Sequence, residues 1–557
     1  MKSLRLIFAL AFLCSITSCS HKDVMLEWGD TDIHYEQGVP PVGLTGQAFR
    51  YKVWRGEKAF AQAVLWTPSD LSDLRVWPSN LYSGFKAIGS RHTKAGFVHY
   101  VMADVLGEGY RQCGARKPGQ FDSLLVADRV GGNRLKELKA GNCQPIWVTI
   151  DVPRNAKPGI YKGRLNVRCR EIGRRSIPFE IEVVDKVLPE AKDWKFHLDL
   201  WQNPYSVARY HDVELWSEEH FEIMRPLMTK LAQAGQKVIT TTILERPWNG
   251  QTQDAYGSMV RKIRQADGRM KYDYTIFDKW VEFMMEVGID DYISCYSMIP
   301  WRLSFDYIDE ATGETCWIEA IPQSNEYKLY WGEFLGDFAM HLREKGWFEK
   351  TMIAMDERPA DAMQAAFEVI FNADPDFKVS LAGNWHPEIE RNLHDYCVGF
   401  RHDFPSDIRQ QRSAEGKVST WYTCCAERFP NTFVVSPLDE AVWIPWRTLA
   451  AGFDGYLRWA FNHWTIDPVA DARFRKWPAG DCYCIYPNAE SSLRFDRMVE
   501  GIQDYEKALI LMEEWKKNGE EGKLAVLDQA LKTFTFENIE AEGAGPAVHK
   551  AKAALQQ

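Results

Sequence analysis

Several signatures are missing from this 557-residue chain, and each absence argues against a class of function. It has no G-x-G-x-x-G and no P-loop, which argues against a nucleotide site. It has no H-x-H or H-E-x-x-H, and His386, His394, His402 and His463 are scattered. That disfavours a metal-dependent hydrolase, and neither metal nor cofactor is expected. Positive charge is not in excess: the formal net charge is -10, which argues against nucleic acid or an anionic membrane surface as partner. Beyond the N-terminus no apolar run is long enough to cross a bilayer. Paired C-x-x-C motifs are absent, since Cys424-Cys425 and Cys482-Tyr483-Cys484 have the wrong spacing. The cysteines are expected to be mostly buried free thiols with one bridge, for which Cys113 and Cys143 are candidates.

What is present begins at the N-terminus. MKSLRLIFALAFLCSITSC carries Lys2 and Arg5, then an apolar run, then small residues. That is the pattern of a signal peptide. Ile16-Thr17-Ser18-Cys19 resembles the bacterial lipoprotein cleavage box, in which Cys19 becomes the lipidated first residue. A plain secretory signal with a chance cysteine is the alternative. Residues 1–19 are therefore read as a lipoprotein signal peptide. The mature protein is expected in the bacterial cell envelope, periplasmic or on the outer-membrane surface, tied to the membrane only by an N-terminal lipid. Disulfides are permitted there. The chain also has 22 Trp. Indole rings stack on the flat apolar faces of sugars, but they also fill large cores, so composition alone does not choose.

Two rhythms divide the mature chain. From 25 to 190, short runs such as FRYKVW, FAQAVLW, IWVTIDV, GRLNVRC and PFEIEVV alternate polar and apolar residues between turns. They predict an immunoglobulin-like β-sandwich. From 195 to 490, eight candidate strands alternate with mostly helical connections: 195–201, 237–244, 291–298, 351–357, 377–385, 396–403, 418–424 and 455–464. That count and length suit a (β/α)8 TIM-type barrel better than an open doubly wound sheet. Residues 491–557 read as a helical tail packed on the barrel. The fold class is thus multidomain, β plus α/β.

Active sites of such barrels lie at the C-terminal ends of the strands. Those ends carry Asp199, Trp201 and Gln202; Tyr296 and Trp301; Asp356 and Glu357; Asn384, Trp385 and His386; Arg401, His402 and Asp403; Trp421 and Tyr422; and Trp459, Asn462, His463 and Trp464. Carboxylates ringed by Trp, Tyr and Asn supply what a sugar pocket needs: stacking faces, hydroxyl partners and an acid. Taken singly, each aromatic residue also suits a core.

The adjacent pair in 351-TMIAMDERP-359 poses a geometric question. Neighbours on a regular strand point to opposite faces. Two-carboxylate glycosidases hold their acids roughly 5–5.5 Å apart when retaining and roughly 6.5–9.5 Å apart when inverting, on either side of the scissile bond. Neighbouring residues are poorly placed for that. They suit a substrate-assisted reaction, in which the sugar's own 2-acetamido oxygen is the nucleophile. One acid then protonates the leaving oxygen, and the other orients the acetamide N–H. This requires the chain to leave strand geometry near Asp356. Alternatively, the pair is a helix N-terminus, where acids favour the first turn.

With MIAMDERP, the segment STWYTCCAERFPNTFVVSPLDEAVWIPWRTLAAGFDGYLRWAFNHW (419–464) and the order of sandwich then barrel, the chain resembles glycoside hydrolase family 123, the β-N-acetylgalactosaminidases. The resemblance covers nearly all of the mature chain. It implies a retaining, acetamido-assisted hydrolysis of β-linked N-acetylgalactosamine on glycans or glycolipids. By that resemblance Asp356 orients the acetamide and Glu357 is the general acid/base. Tyr422 bonds the acetamide carbonyl, and Trp421, Trp459 and Trp464 wall the sugar, with Asn462, Asn384, Trp385 and Tyr296 as further substrate-binding candidates. Cys424-Cys425 and the 249–275 insertion depart from the family pattern and bear on specificity. The mechanism needs a raised pKa at Glu357, with Arg358 turned away. Two other readings stand beside it: a non-catalytic glycan-binding lipoprotein on the same scaffold, and a hexosaminidase of different sugar preference.

Overall fold

Alternating strands between residues 25 and 187 pair into two facing sheets, as a computed structural model describes for residues 24–46, 49–107, 122–475 and 477–556. The signal peptide, Cys19 and Cys113 lie outside the described residues. One sheet runs in the order Met25–Trp28, Lys58–Trp66, Cys143–Asp151, Thr93–Asp104, Ser123–Val130. The other runs Phe49–Arg55, Gly173–Val187, Gly159–Cys169, Leu71–Pro78, Arg134–Leu138. In the first sheet both faces are buried. Ala59, Ala61, Ala63, Ile146, Val148 and Ile150 point into the sandwich core. Phe60 and Trp147 point the other way, into the core shared with the barrel. A strand covered on both faces reads as a nearly continuous apolar run, as FAQAVLW does.

All eight expected barrel strands form, and all are parallel. They are β1 (His197–Leu200), β2 (Val238–Thr242), β3 (Tyr292–Tyr296), β4 (Thr351–Asp356), β5 (Lys378–Gly383), β6 (Asp395–Gly399), β7 (Val418–Tyr422) and β8 (Gly455–Arg458). The sheet runs β1-β8-β7-β6-β5-β4-β3-β2. Its two ends meet through one bridge, Leu198 with Gln236. Side-chain amides complete the seam. Gln236 Oε1 accepts from Leu200 N at 2.9 Å, and Gln202 Oε1 accepts from Thr240 N at 2.9 Å. Helices form the outer layer. Glu218–Ala232, for example, starts at Ser217, whose side chain accepts from His220 N.

The loops after β2 and β3 are more than insertions. They contribute Arg261–Arg264, Met270–Asp273, Ser304–Asp309 and Thr315–Glu319, which pair into a separate four-stranded sheet. Loops after barrel strands belong to the C-terminal side, so this sheet stands on the side of the site.

The tail binds more than the barrel. Ser491–Ser492 pairs with Ser123–Val130 of the sandwich. The helix Leu493–Asn518 then touches both halves. Asp496 accepts from Trp147 Nε1 at 2.8 Å, and Lys507 bonds Glu57 at 2.9 Å, both sandwich residues. Glu506 accepts from Phe196 N at 2.8 Å, beside β1. Cys143, a candidate for a bridge, is a buried free thiol. Cys425 is disulfide-bonded. No helix among the described residues is long and apolar enough to cross a membrane.

Candidate active site

β4 is apolar and buried until its last residue, Asp356, which pairs with Ala382 of β5. The next residue leaves the strand. Glu357 has φ 50°, and its N–H donates to Ala382 O at 2.7 Å. A left-handed residue breaks the up-down alternation, so both carboxylates open into one cavity. Gly383 leaves room for this turn, since a Cβ there would lie 3.2 Å from Glu357 Cα. The helix-capping alternative does not apply. The following helix, Ala360–Ala373, starts after Pro359 without a side-chain cap, and its first-turn acid is Asp361.

The cavity has a volume of about 450 Å³. Trp201, Trp301, Trp459 and Trp477 wall it, with Tyr422, Gln251 and Arg475 as polar groups. Trp301 donates its indole N–H to Asp356 Oδ2 at 3.2 Å. Tyr422 donates its hydroxyl to Glu357 Oε1 at 3.0 Å. Arg358 stays out of the cavity. Its Nε donates to Asp356 O at 2.7 Å, and its guanidinium lies 5.5 Å over the Trp301 ring. Beneath the floor, Tyr296 packs 4.6 Å from Trp201 and 5.0 Å from Trp248.

The raised pKa belongs to Asp356. Its carboxyl is pushed up to about 7, first by burial and then by the charge of Glu357, with the Trp301 N–H and Arg358 opposing. Of the two acids Glu357 is exposed, and Asp356 lies deeper.

Of the ten residues expected in the site, four line the cavity: Asp356, Glu357, Tyr422 and Trp459. Tyr296 lies below it, buried in the aromatic floor. Trp421 faces away from the cavity. It is the outward neighbour of Tyr422, and its N–H donates to Thr448 Oγ1 at 2.9 Å in the helix Leu438–Ala451. Trp464 is fully buried and donates to Ile485 O. Asn462 is pinned to the Asn203 backbone in both directions, at 2.9 and 2.8 Å. Asn384 is exposed, and Trp385 turns beyond Gly383 to stack 5.4 Å from Tyr396. Asp199 is buried near the start of the barrel and faces His197 and Asp395. Gln251, Arg475 and Trp477 were missed because they sit on long loops with no periodic signal. Among the described residues no three His, Cys, Asp or Glu side chains are grouped to hold a metal ion. A larger cleft, about 900 Å³, lies between sandwich and barrel and contains neither acid of the pair.

The parallel barrel thus holds paired acids in a Trp-walled cavity at its C-terminal mouth, and comparison supplies the class. The model of the glycoside hydrolase 123 catalytic domain matches residues 201–511, more than half of the chain, and that of the family's N-terminal domain matches residues 28–169. The chain belongs to glycoside hydrolase family 123 and is a glycosidase. A family 123 glycoside hydrolase from Clostridium perfringens, solved to detail glycolipid glycan hydrolysis, superposes with a TM-score of 0.86 at 25% identity. That match covers 96% of this chain and 97% of the other. A GH5 xyloglucanase from Bacteroides ovatus, in complex with a heptasaccharide, aligns at a TM-score of 0.29 and 8% identity over 86% of this chain and 100% of that one. No curated protein sequence matches the chain.

Proposed function

We propose that this glycosidase removes terminal β-linked N-acetylgalactosamine with retention, using the substrate's 2-acetamido group as nucleophile. The observation that carries the reading is the adjacency of Asp356 and Glu357 in one cavity, made possible by the left-handed turn at Glu357. Acids so placed serve one sugar from the same side of the site. The Clostridium relative's described action on glycolipid glycans supports a glycolipid or glycan substrate.

In the first step the acetamido carbonyl oxygen bonds to the anomeric carbon. The bond to the leaving oxygen breaks, and Glu357 gives that oxygen its proton. The Asp356 carboxylate accepts the acetamide N–H and offsets the positive charge of the oxazolinium ring. In the second step Glu357 takes a proton from water, whose oxygen attacks the anomeric carbon and reopens the ring with the original configuration. Tyr422, already bonded to Glu357, holds that carboxyl in place. Trp201, Trp459 and Trp477 provide the sugar's apolar walls. The lipoprotein box ending at Cys19 supports action at the cell envelope from a lipid anchor.

A panel of nitrophenyl β-glycosides tests the assignment. The N-acetylgalactosaminide should be cleaved, the N-acetylglucosaminide less well, and the plain galactoside not at all. Efficient cleavage of the galactoside would remove acetamido assistance. No cleavage of any member would favour a non-catalytic glycan binder.

A further inference from the structure

The 900 Å³ cleft between sandwich and barrel has a charge arrangement that the reaction does not use. Lys58 begins one sandwich strand, and Lys94 lies on another. Both sit beside Cys143–Asp151, where Lys58 pairs in register with Asp151 and Lys94 with Thr149. Lys230 reaches in from the last turn of the barrel helix Glu218–Ala232. Arg75, its guanidinium 5.8 Å from the centre of the Trp77 ring, and Trp77 complete the wall, with Ser79, Asn80 and Asn133 as hydrogen-bonding groups.

The acids lining the cleft are largely committed. Asp496 accepts from both Ser491 Oγ and Trp147 Nε1. Glu490 is bonded to Arg129. Asp151 lies 3.7 Å from Lys58. Lys94, Lys230 and Arg75 make no ion pair among the described residues. Burial lowers the pKa of Lys230, and the charges of Lys58 and Lys94 lower it further against the pull of Asp496. Like charges gathered in a half-buried cleft cost free energy unless an anion joins them. The overall charge is -10, so this concentration of cations runs against the rest of the molecule.

The position is separate from the catalytic cavity. The helix carrying Lys230 leads into the start of β2, so its last turn lies at the N-terminal face of the barrel, opposite the mouth that holds Asp356. The size suits a short oligosaccharide.

We propose that this cleft is a second glycan-binding site, specific for an acidic oligosaccharide whose carboxylate or sulfate group is held by Lys94 and Lys230. Trp77 and the surrounding amides and hydroxyls contact the sugar itself. The inference does not depend on which glycoside the catalytic cavity cleaves.

Calorimetric titration of the full mature chain tests it with three tetrasaccharides: sulfated chondroitin, its desulfated uronate-bearing counterpart, and neutral lacto-N-tetraose. The sulfated ligand should bind, with affinity falling as salt rises, and the neutral one should not. Binding of the desulfated ligand as well assigns the contact to the carboxylate, and its failure assigns it to sulfate. The double variant Lys94→Gln/Lys230→Gln should weaken binding by about tenfold or more, while cleavage of a nitrophenyl glycoside stays unchanged and the melting temperature does not fall. Trp459→Ala, in the catalytic cavity, should leave this binding intact. Equal binding of all three ligands, no binding of either acidic one, or binding indifferent to the lysine pair would overturn the proposal.

Discussion

The Tyr422 hydroxyl, at the end of β7, donates to Glu357 Oε1, just past the end of β4, at 3.0 Å. The bond reaches across the barrel mouth, past β5 and β6, and ties one acid of the pair to a rigid strand end. Tyr422→Phe removes only the donor. We expect kcat to fall by about tenfold or more with little change in KM. Full activity in the variant would show that the bond has no role in turnover.

Burial and the neighbouring charge of Glu357 push the Asp356 carboxyl up to about 7. The proposed reaction needs Asp356 as a carboxylate, to accept the acetamide N–H. That carboxylate forms as pH rises past about 7, so kcat/KM should rise through that pH. A profile flat from pH 6 to about 9 would contradict this assignment.

The same shift bears on stability. Asp356 has an ordinary value of 3.8 and about 7 in the fold, so between them the folded chain keeps a proton that the unfolded chain has lost. Stability therefore falls as pH rises across that window. Asp356→Asn removes the ionisable group. The variant should exceed the parent in stability by about 1–2 kcal/mol at pH 8, allowing for solvent screening at a half-buried group, and by little at pH 4. Thermal melts at the two pH values measure the difference.

Gly383 tests the backbone turn. An alanine Cβ would sit 3.2 Å from Glu357 Cα and 3.4 Å from its N, tighter than ordinary contact. The easiest relief is a shift of Glu357, whose placement the reaction needs. Gly383→Ala should lose about 10- to 100-fold in kcat/KM, since small displacements of a positioned acid are costly. The circular dichroism spectrum should stay that of the parent.

Much of this architecture was legible in the sequence, for identifiable reasons. The barrel strands are short apolar runs separated by amphipathic helices, and all eight formed where expected. The odd placing of Asp356 beside Glu357 also pointed to a break from strand geometry, and the break is the φ of 50° at Glu357. Arg358 turns away as expected. The aromatic residues were harder to place. On a strand, one position decides which face a side chain occupies, so Trp421 went into the helical layer while Tyr422 faced the cavity. Trp464 and Asn462 lie beyond β8, where strand periodicity no longer places a side chain. Gln251, Arg475 and Trp477 come from long loops, and only the folded chain brings them to the rim. Burial depth within the acid pair was likewise invisible, because it depends on Trp301 and the aromatic floor.

The most direct test of the central claim is the dependence of kcat/KM on the nucleophilicity of the acetamido oxygen. Nitrophenyl N-acyl-β-galactosaminides carrying zero to three fluorines on the acyl methyl group vary that property with little change in shape. If the substrate supplies the nucleophile, each added fluorine should lower kcat/KM steeply, by about tenfold, as the acyl oxygen loses electron density. A flat series, with the trifluoroacetyl substrate cleaved as fast as the acetyl one, would contradict the account and return the nucleophile to the protein.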